Sequence, residues 1–148
     1  MAKMSIGVFA AHMEKVTSAR LWKELKKAET ATLKDALTVA IKQSSGGYSQ
    51  GQLDAMGNPY GHLRPHPLDP AIINAQTGVF RASWLTEGPS RQGMALRSRL
   101  FNTDPKSRFL LGTKKMIPRP VALAVLKQIK GRRVARIKAA VNAAFQPQ

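Results

Sequence analysis

The residues best suited to chemistry are His62 and His66, which lie four positions apart with Asp69 close behind. Imidazole and carboxylate groups in such a set bind metal ions or act as general bases. A spacing of four brings two rings to the same face only on a helix, and prolines interrupt this segment. We therefore interpret it as a solvated or partner-contacting loop, and predict that the protein uses no metal and no cofactor.

Other catalytic arrangements are missing from the sequence. The absence of cysteine excludes a disulfide framework, a thiolate metal site and a cysteine nucleophile. No serine, histidine and acid combination carries a nucleophile turn, and no glycine-rich phosphate loop ends in Lys-Ser or Lys-Thr. The 8 acidic residues are too scattered for the paired carboxylates of a two-metal nuclease. We predict that the protein is not an enzyme.

The strongest feature of the composition is its charge, with 24 Lys and Arg against 8 Asp and Glu, a net charge of +16. No acidic residue follows Asp104. Such a cationic region attracts nucleic acid or an acidic protein surface, and salt weakens the attraction. Five residues of the last predicted helix are candidates for this contact: Lys127, Arg132, Arg133, Arg136 and Lys138. They spread around the helix, which favours acidic protein neighbours over one flat DNA-docking face.

The length of 148 residues and the hydrophobic content of 43% predict a single folding domain over residues 1–148. The apolar patch near the N-terminus is too short for a signal peptide, and no uncharged stretch reaches the roughly 20 residues of a membrane span. We expect a soluble protein, intracellular when made, without membrane contact. Residues 44–70 are rich in Gly, Pro, Ser, Asn and His, and we predict a long loop or partner-ordered arm there.

The first half of the chain predicts one long helix. We expect a short strand at 5–9 and then a helix that begins at Thr17 or Ser18 and ends near Gln43. One stripe of this helix is apolar: Leu21, Trp22, Leu25, Ala28, Thr32, Leu33, Ala36, Val39 and Ala40. The lysines at 23, 26, 27 and 34 fall outside the stripe. The low helix propensity of 30–32 makes a break there an alternative.

The middle of the chain predicts two antiparallel strands. Apolar and polar residues alternate from Phe80 to Trp84 and again from Met94 to Leu100. Residues 87–93 contain two glycines and a proline, which favours a hairpin loop longer than two residues. Between Pro105 and Gly112 we expect one or two helical turns.

The last helix is predicted to begin at Pro120 and to reach Phe145. One apolar stripe is expected to face the core: Leu123, Leu126, Val134, Ile137, Val141 and Phe145. A second apolar set lies on roughly the opposite side and is our candidate subunit interface: Val121, Val125, Ile129, Ala139 and Ala143. The predicted class is therefore α+β, with an N-terminal helix, a long loop, a small antiparallel β-sheet and a long C-terminal helix.

A series of short motifs runs from 74 to 120, and its key residues are Thr77, Gly78, Arg81, Gly112, Pro118, Arg119 and Pro120. The order of these motifs resembles that of the tail-completion and virion-morphogenesis superfamily of tailed phages. That superfamily has a Thr-Gly-x-Leu-Arg-x-Ser segment, a strand pair, an aromatic residue before Gly-Thr, and Pro-x-Arg-Pro opening the last helix. We predict that the key residues shape the fold, because glycine permits unusual backbone angles and the prolines set the direction of the last helix.

The resemblance implies a structural virion protein of the phage neck. Members form oligomeric rings, generally six-fold, that complete or terminate the tail and join it to the head. The implied partners are further copies of the chain, head-closure or connector proteins and tail tube proteins, with possible non-specific contact with genomic DNA. The implied location is the neck or tail top of the virion, after assembly in the host cytoplasm.

The alternative function is a basic nucleic-acid-binding module of ribosomal or chromatin type, in which charge supplies the affinity. The usual nucleic-acid-binding motifs are missing from the sequence. Aromatic residues, which stack on bases in such modules, make up only 6% of the chain. A discrete ring would separate the two hypotheses, because it is not expected of the module.

Overall fold

A computed structural model of the chain describes residues 6–57, 68–69, 71–74, 78–107 and 119–146. The elements are, in order, α1 (Ile6–Gln43), α2 (Gln50–Ala55), α3 (Val79–Ala82), β1 (Trp84–Gln92), β2 (Ala95–Asn102) and α4 (Val121–Phe145). The predicted α+β class is confirmed: a long first helix, a two-stranded antiparallel sheet, and a long last helix that packs against the first.

Helix α1 is longer than the sequence pattern indicates. The strand expected at 5–9 is wrong, because residues 6–9 are helical and Thr17 and Ser18 lie inside the helix. Extending an existing helix costs far less than starting a separate element, so the apolar start of the chain joins the helix that follows it. The alternative of a break at 30–32 is also wrong. Thr30 and Thr32 there donate their hydroxyls to the carbonyls four residues earlier, at 2.8 and 2.9 Å.

The apolar stripe predicted for α1 is confirmed in the second half of the helix. Its buried members are Thr32, Leu33, Ala36, Val39 and Ala40. The four lysines placed outside the stripe are exposed. The 3.6-residue period of the apolar residues therefore predicts correctly which side of α1 faces the core.

The segment predicted as a long loop contains the short helix α2. A capping box starts it: the Ser49 amide donates to Gln52 Oε1 at 2.8 Å, and the Gln52 amide donates to Ser49 Oγ at 3.3 Å. Leu53 is buried and gives the segment an apolar anchor. His62 and His66 lie outside the described residues, and the Asp69 carboxylate accepts a hydrogen bond from the Ala71 amide.

Residues 71–74 hold the C-terminal end of α1. The Ile73 amide donates to the Gln43 carbonyl at 2.7 Å, and the Ile73 carbonyl accepts from the Gly46 amide at 3.1 Å. The Ile73 side chain is buried. Position 46 must be glycine for this approach, because a Cβ atom there would overlap the side-chain oxygen of Asn74.

The hairpin has a tighter turn than predicted. Gln92 pairs with Ala95, so Gly93 and Met94 form a two-residue turn, with Gly93 at φ +59°. Residues 87–92 extend β1 instead of forming a loop, and the register shifts between Glu87 and Ser90. A side chain at position 88, where φ is +92°, would press on the Arg97 carbonyl oxygen.

The first predicted strand is partly wrong, because Phe80 and Ala82 belong to α3 and only Trp84 begins β1. Three alternating residues fit one helical turn as well as a strand. The Ser83 hydroxyl donates to the Val79 carbonyl at 2.8 Å and so supports that turn. The turn places Phe80 against the helices and leaves the strands to start at Trp84.

The core lies where the C-terminal end of α1 meets the N-terminal half of α4. It consists of Ala36, Val39, Ala40, Ile73, Phe80, Val121, Val125 and Ile129. Trp84 and Leu100 pack against this cluster from the base of the hairpin. The Trp84 indole donates to the hydroxyl of buried Ser44 at 2.8 Å, and its ring meets Phe80 edge to face.

Helices α1 and α4 run antiparallel. Arg20 donates to the Gln146 carbonyl at 3.0 Å near one end of the pair, whereas Asp35 pairs with Arg136 further along. Among the described helices, none has the length and apolar character needed to cross a bilayer. The last helix ends at Phe145 as predicted and begins one residue later than expected, at Val121, with Pro120 as its N-cap. The two long helices form the frame on which the hairpin sits.

Candidate assembly surface on the last helix

The two apolar faces of α4 are assigned the wrong way round by the sequence pattern. Val121, Val125 and Ile129, our candidate interface residues, are 0%, 3% and 5% exposed and belong to the core of the chain itself. Of the other two candidates, Ala139 is exposed and Ala143 is half-buried. In the predicted core stripe Leu123 and Leu126 are 69% and 56% exposed, and Ile137 is half-buried. Val134, Val141 and Phe145 are also exposed.

Charge pairing explains which face packs inward. The buried face of α4 continues along the helix through three arginines, Arg132, Arg133 and Arg136, to buried Ala140 and Ala144. Helix α1 offers Glu29 and Asp35 opposite these arginines. Turning the other apolar face inward would leave those carboxylates beside aliphatic side chains, at a large desolvation cost. The positions of Glu29 and Asp35 therefore indicate which face of α4 packs against α1, and apolar periodicity does not.

The ion pairs between the helices involve three of the five predicted contact residues. Arg133 holds Glu29 through two hydrogen bonds of 3.3 Å, from Nε and Nη2 to the two carboxylate oxygens. Asp35 lies 3.1 Å from Arg132 and 2.9 Å from Arg136. These three guanidinium groups therefore form ion pairs with carboxylates of the same chain. Lys127 and Lys138 are exposed, and no carboxylate of the described residues pairs with them.

We expect Glu29→Gln to lower the free energy of unfolding by about 2 kcal/mol, because a two-pronged, charge-assisted contact at a nearly buried carboxylate is lost. The side chain of Glu29 is 11% exposed. Glu87→Gln is the matched control: its pair with Arg99 spans 3.6 Å between side chains that are 65% and 77% exposed. The control should cost less than about 0.5 kcal/mol. Urea unfolding measures both, and equal losses would contradict a stabilising role of the helix pair.

The outward face of α4 carries one row of exposed or half-buried side chains that are apolar except for Lys130. We call it the α4 stripe: Leu123, Leu126, Lys130, Val134, Ile137, Val141 and Phe145. Its spacing of three and four residues keeps it on one line along about 33 Å of helix. A groove of about 570 Å³ runs beside it from Leu123 to Ile137. Apolar surface of this length on one element is typical of a site of protein contact.

The outer face of the hairpin is a second, smaller apolar surface. Leu85 and Phe101 lie opposite each other in the two strands, and both are exposed. Met94 is exposed at the turn. Near the turn, the Arg91 guanidinium lies 4.2 Å from the centre of the Trp22 ring, which ties the far end of the hairpin to α1. The hairpin is thus fixed at both ends, while Leu85 and Phe101 on its outer face remain exposed.

Three of the four described residues of the phage-like motifs, Gly78, Arg119 and Pro120, lie at element boundaries. Gly78 adopts φ +75° directly before α3, and Arg81 is exposed on that helix. Arg119 is buried, and its carbonyl accepts from the Val121 amide at 2.9 Å. The Pro120 carbonyl accepts from the Ala124 amide in the first turn of α4. Thr77, Gly112 and Pro118 lie outside the described residues.

Known proteins supply no further assignment. No protein family, curated protein or solved structure matches the chain. Within the described part of the chain, no group of three or more histidine or acidic side chains is placed to hold a metal ion. The surfaces of α4 and of the hairpin are therefore the features from which a function can be argued.

Proposed function

We propose that this chain is an architectural protein of the tailed-phage neck. Identical copies form a ring that completes or terminates the tail, and the ring joins the tail to the head through head-closure and tail tube proteins. The motif order between 74 and 120 supports the phage setting and the six-fold ring. The observation that carries the architectural role is the exposed apolar surface on two separate elements, the α4 stripe and the outer face of the hairpin.

Two separate surfaces suit a subunit that has two kinds of neighbour. A closed ring of identical copies uses a heterologous contact, in which one patch of a subunit meets a different patch of the next. Leu85 and Phe101 form one such patch. It is rigid because Trp84 and Arg91 fix the hairpin to the helices. The α4 stripe remains for a neighbour of another kind.

A basic nucleic-acid-binding module is the second candidate, and one observation favours it. Exposed lysines lie along one side of α1 around a shallow hollow: Lys23, Lys26, Lys27 and Lys34. Lys27 donates to Glu24 at 2.8 Å, and this hydrogen bond lowers the pKa of the Glu24 carboxyl. The other three lysines remain available to phosphates, which would give salt-dependent binding without sequence preference.

Native mass measurement of the purified protein tests the ring. We expect one discrete oligomer, and we expect Leu85→Glu combined with Phe101→Glu to leave folded monomers, because two charges would enter the contact between copies. Thr86→Glu, on the other face of β1, is the control. A monomeric wild-type protein that binds DNA with a steep salt dependence would favour the nucleic-acid module instead. Proteomic and imaging analysis of particles should place the chain at the neck, and its loss should leave tails unjoined.

A further inference from the structure

We propose that the α4 stripe is a docking site for an acidic amphipathic helix of a different protein. The inference rests on the proposed function only in taking that protein to be a neighbour in the particle. It names the occupant of a surface that the ring contact does not use. Its support comes from the shape of the stripe, its lysines and the shortage of acidic residues in the chain itself.

The geometry of the stripe fits a helix. Its members are separated by three, four, four, three, four and four residues, an average close to the 3.6-residue turn, so the row does not wind around α4. Amphipathic helices bind such grooves through side chains at the same spacing. An exposed leucine pair starts the row and Phe145 ends it.

The lysines define the charge of the occupant. Lys130 lies within the stripe, Lys127 borders its groove, and Lys138 is exposed one residue after Ile137. No carboxylate among the described residues forms a salt bridge with any of the three. A partner helix with glutamates beside its apolar row would neutralise them, whereas a neutral or basic helix would leave them unpaired near a dehydrated contact.

A second copy of the chain is a poor occupant. In a parallel pair of α4 stripes Lys130 would meet its counterpart, and in an antiparallel pair centred on Val134 it would meet Lys138. A charged residue within an apolar seam selects against such pairings. Other surfaces of a second copy offer little compensation: of its 8 acidic residues, Glu24, Glu29, Asp35 and Glu87 are in ion pairs and Asp104 is buried.

The test uses the full chain and two synthetic helical peptides as probes. Both peptides carry leucines at the spacing of the stripe; one has glutamates along both borders and the other has lysines there. Fluorescence anisotropy of the labelled peptides should show binding of the glutamate peptide and none of the lysine peptide. Equal binding of the two would overturn the charge argument.

Variants locate the site. Lys130→Gln should weaken binding of the glutamate peptide about tenfold, and Leu126→Ser combined with Val134→Ser should weaken it about a hundredfold. Lys23→Gln is the matched control, since it removes the same charge from an exposed site on α1. A loss with the control as large as that with Lys130→Gln would show only general charge attraction. Circular dichroism checks that each variant is folded.

The outcomes separate this inference from the proposed function. If Leu126→Ser with Val134→Ser leaves the wild-type oligomer intact but abolishes peptide binding, a heterologous helix is the occupant. If the same double variant breaks the oligomer, the stripe is a contact between copies and the inference is wrong, while the neck role stands. Peptide binding by a protein that is absent from particle necks would overturn the neck role alone.

Discussion

Val125→Glu should unfold the protein, whereas Leu126→Glu, one residue further along the same helix, should leave it folded. Val125 is 3% exposed in the cluster between α1 and α4, and all members of that cluster are apolar. A carboxylate at that position would be buried without a partner, at a cost on the order of 4–5 kcal/mol. A loss of that size approaches the whole free energy of unfolding of a domain at the lower end of the usual range, which begins at about 5 kcal/mol.

Leu126→Glu is a stringent control because the substitution is chemically matched and the position is adjacent. Leu126 belongs to the exposed α4 stripe, where a charge remains hydrated, so we expect a change within about 0.5 kcal/mol. Circular dichroism and urea unfolding of both variants give the answer. A folded Val125→Glu variant beside an unfolded Leu126→Glu variant would mean that α4 packs with its other face inward. Assembly assays should therefore use substitutions in the stripe and avoid Val121, Val125 and Ile129.

The case of α4 shows what apolar periodicity predicts and where it fails. The sequence indicates two apolar faces on one helix, and both exist. Periodicity alone does not rank them, because valine and isoleucine side chains occur on each. The deciding information is in α1, where Glu29 and Asp35 stand opposite Arg133, Arg132 and Arg136. A pairwise reading of charges across two helices would have identified the inward face from the sequence.

Other differences come from short elements. The capping box of α2 consists of Ser49 and Gln52 within a glycine-rich segment, where local composition favours a loop. The turn of the hairpin is only two residues because β1 continues past Gly88 and Pro89 with a shift of register. Adjacent glycine and proline predict that the regular strand pairing is interrupted. They do not show whether the interruption is a shift of register, as found here, or a loop. The long helices, with several turns of consistent pattern, could be predicted to within a residue at Gln43 and Phe145.

The five candidate contact residues of α4 divide into arginines that pair with α1 and lysines that remain exposed. The cationic C-terminal third is visible in the sequence, but which cations are available depends on the packing of α4 on α1. Arginines 132, 133 and 136 are engaged with carboxylates of α1, so their replacement would alter stability as well as any contact. Lys127 and Lys138 are exposed and remain candidates for an acidic partner. Experiments on docking should therefore replace the lysines and leave the arginines intact.

We expect Trp84→Ala to lower the free energy of unfolding by about 3 kcal/mol and to release the hairpin from the helices. Trp84 begins β1 and packs against the core. Its ring lies edge to face with Phe80, with centroids 5.8 Å apart, and its indole N–H donates to Ser44 at the end of α1. The substitution removes an aromatic contact and a partly buried hydrogen bond at the point where the strands leave the core.

Two further variants divide that effect into its parts. Ser44→Ala leaves the indole without its acceptor and should cost about 1 kcal/mol. Trp22→Ala removes the ring beneath Arg91 near the hairpin turn and should also cost about 1 kcal/mol, since an exposed guanidinium contact is weak. Hydrogen exchange should show faster exchange along all of β1 and β2 in Trp84→Ala, but only near Gly93 in Trp22→Ala. Equal stability losses and identical exchange patterns for the two tryptophan variants would contradict the view that Trp84 anchors the hairpin.

The same two variants should differ in assembly. The contact between subunits proposed for Leu85 and Phe101 needs a rigid hairpin. Trp84→Ala should therefore prevent the discrete oligomer, whereas Trp22→Ala should preserve it.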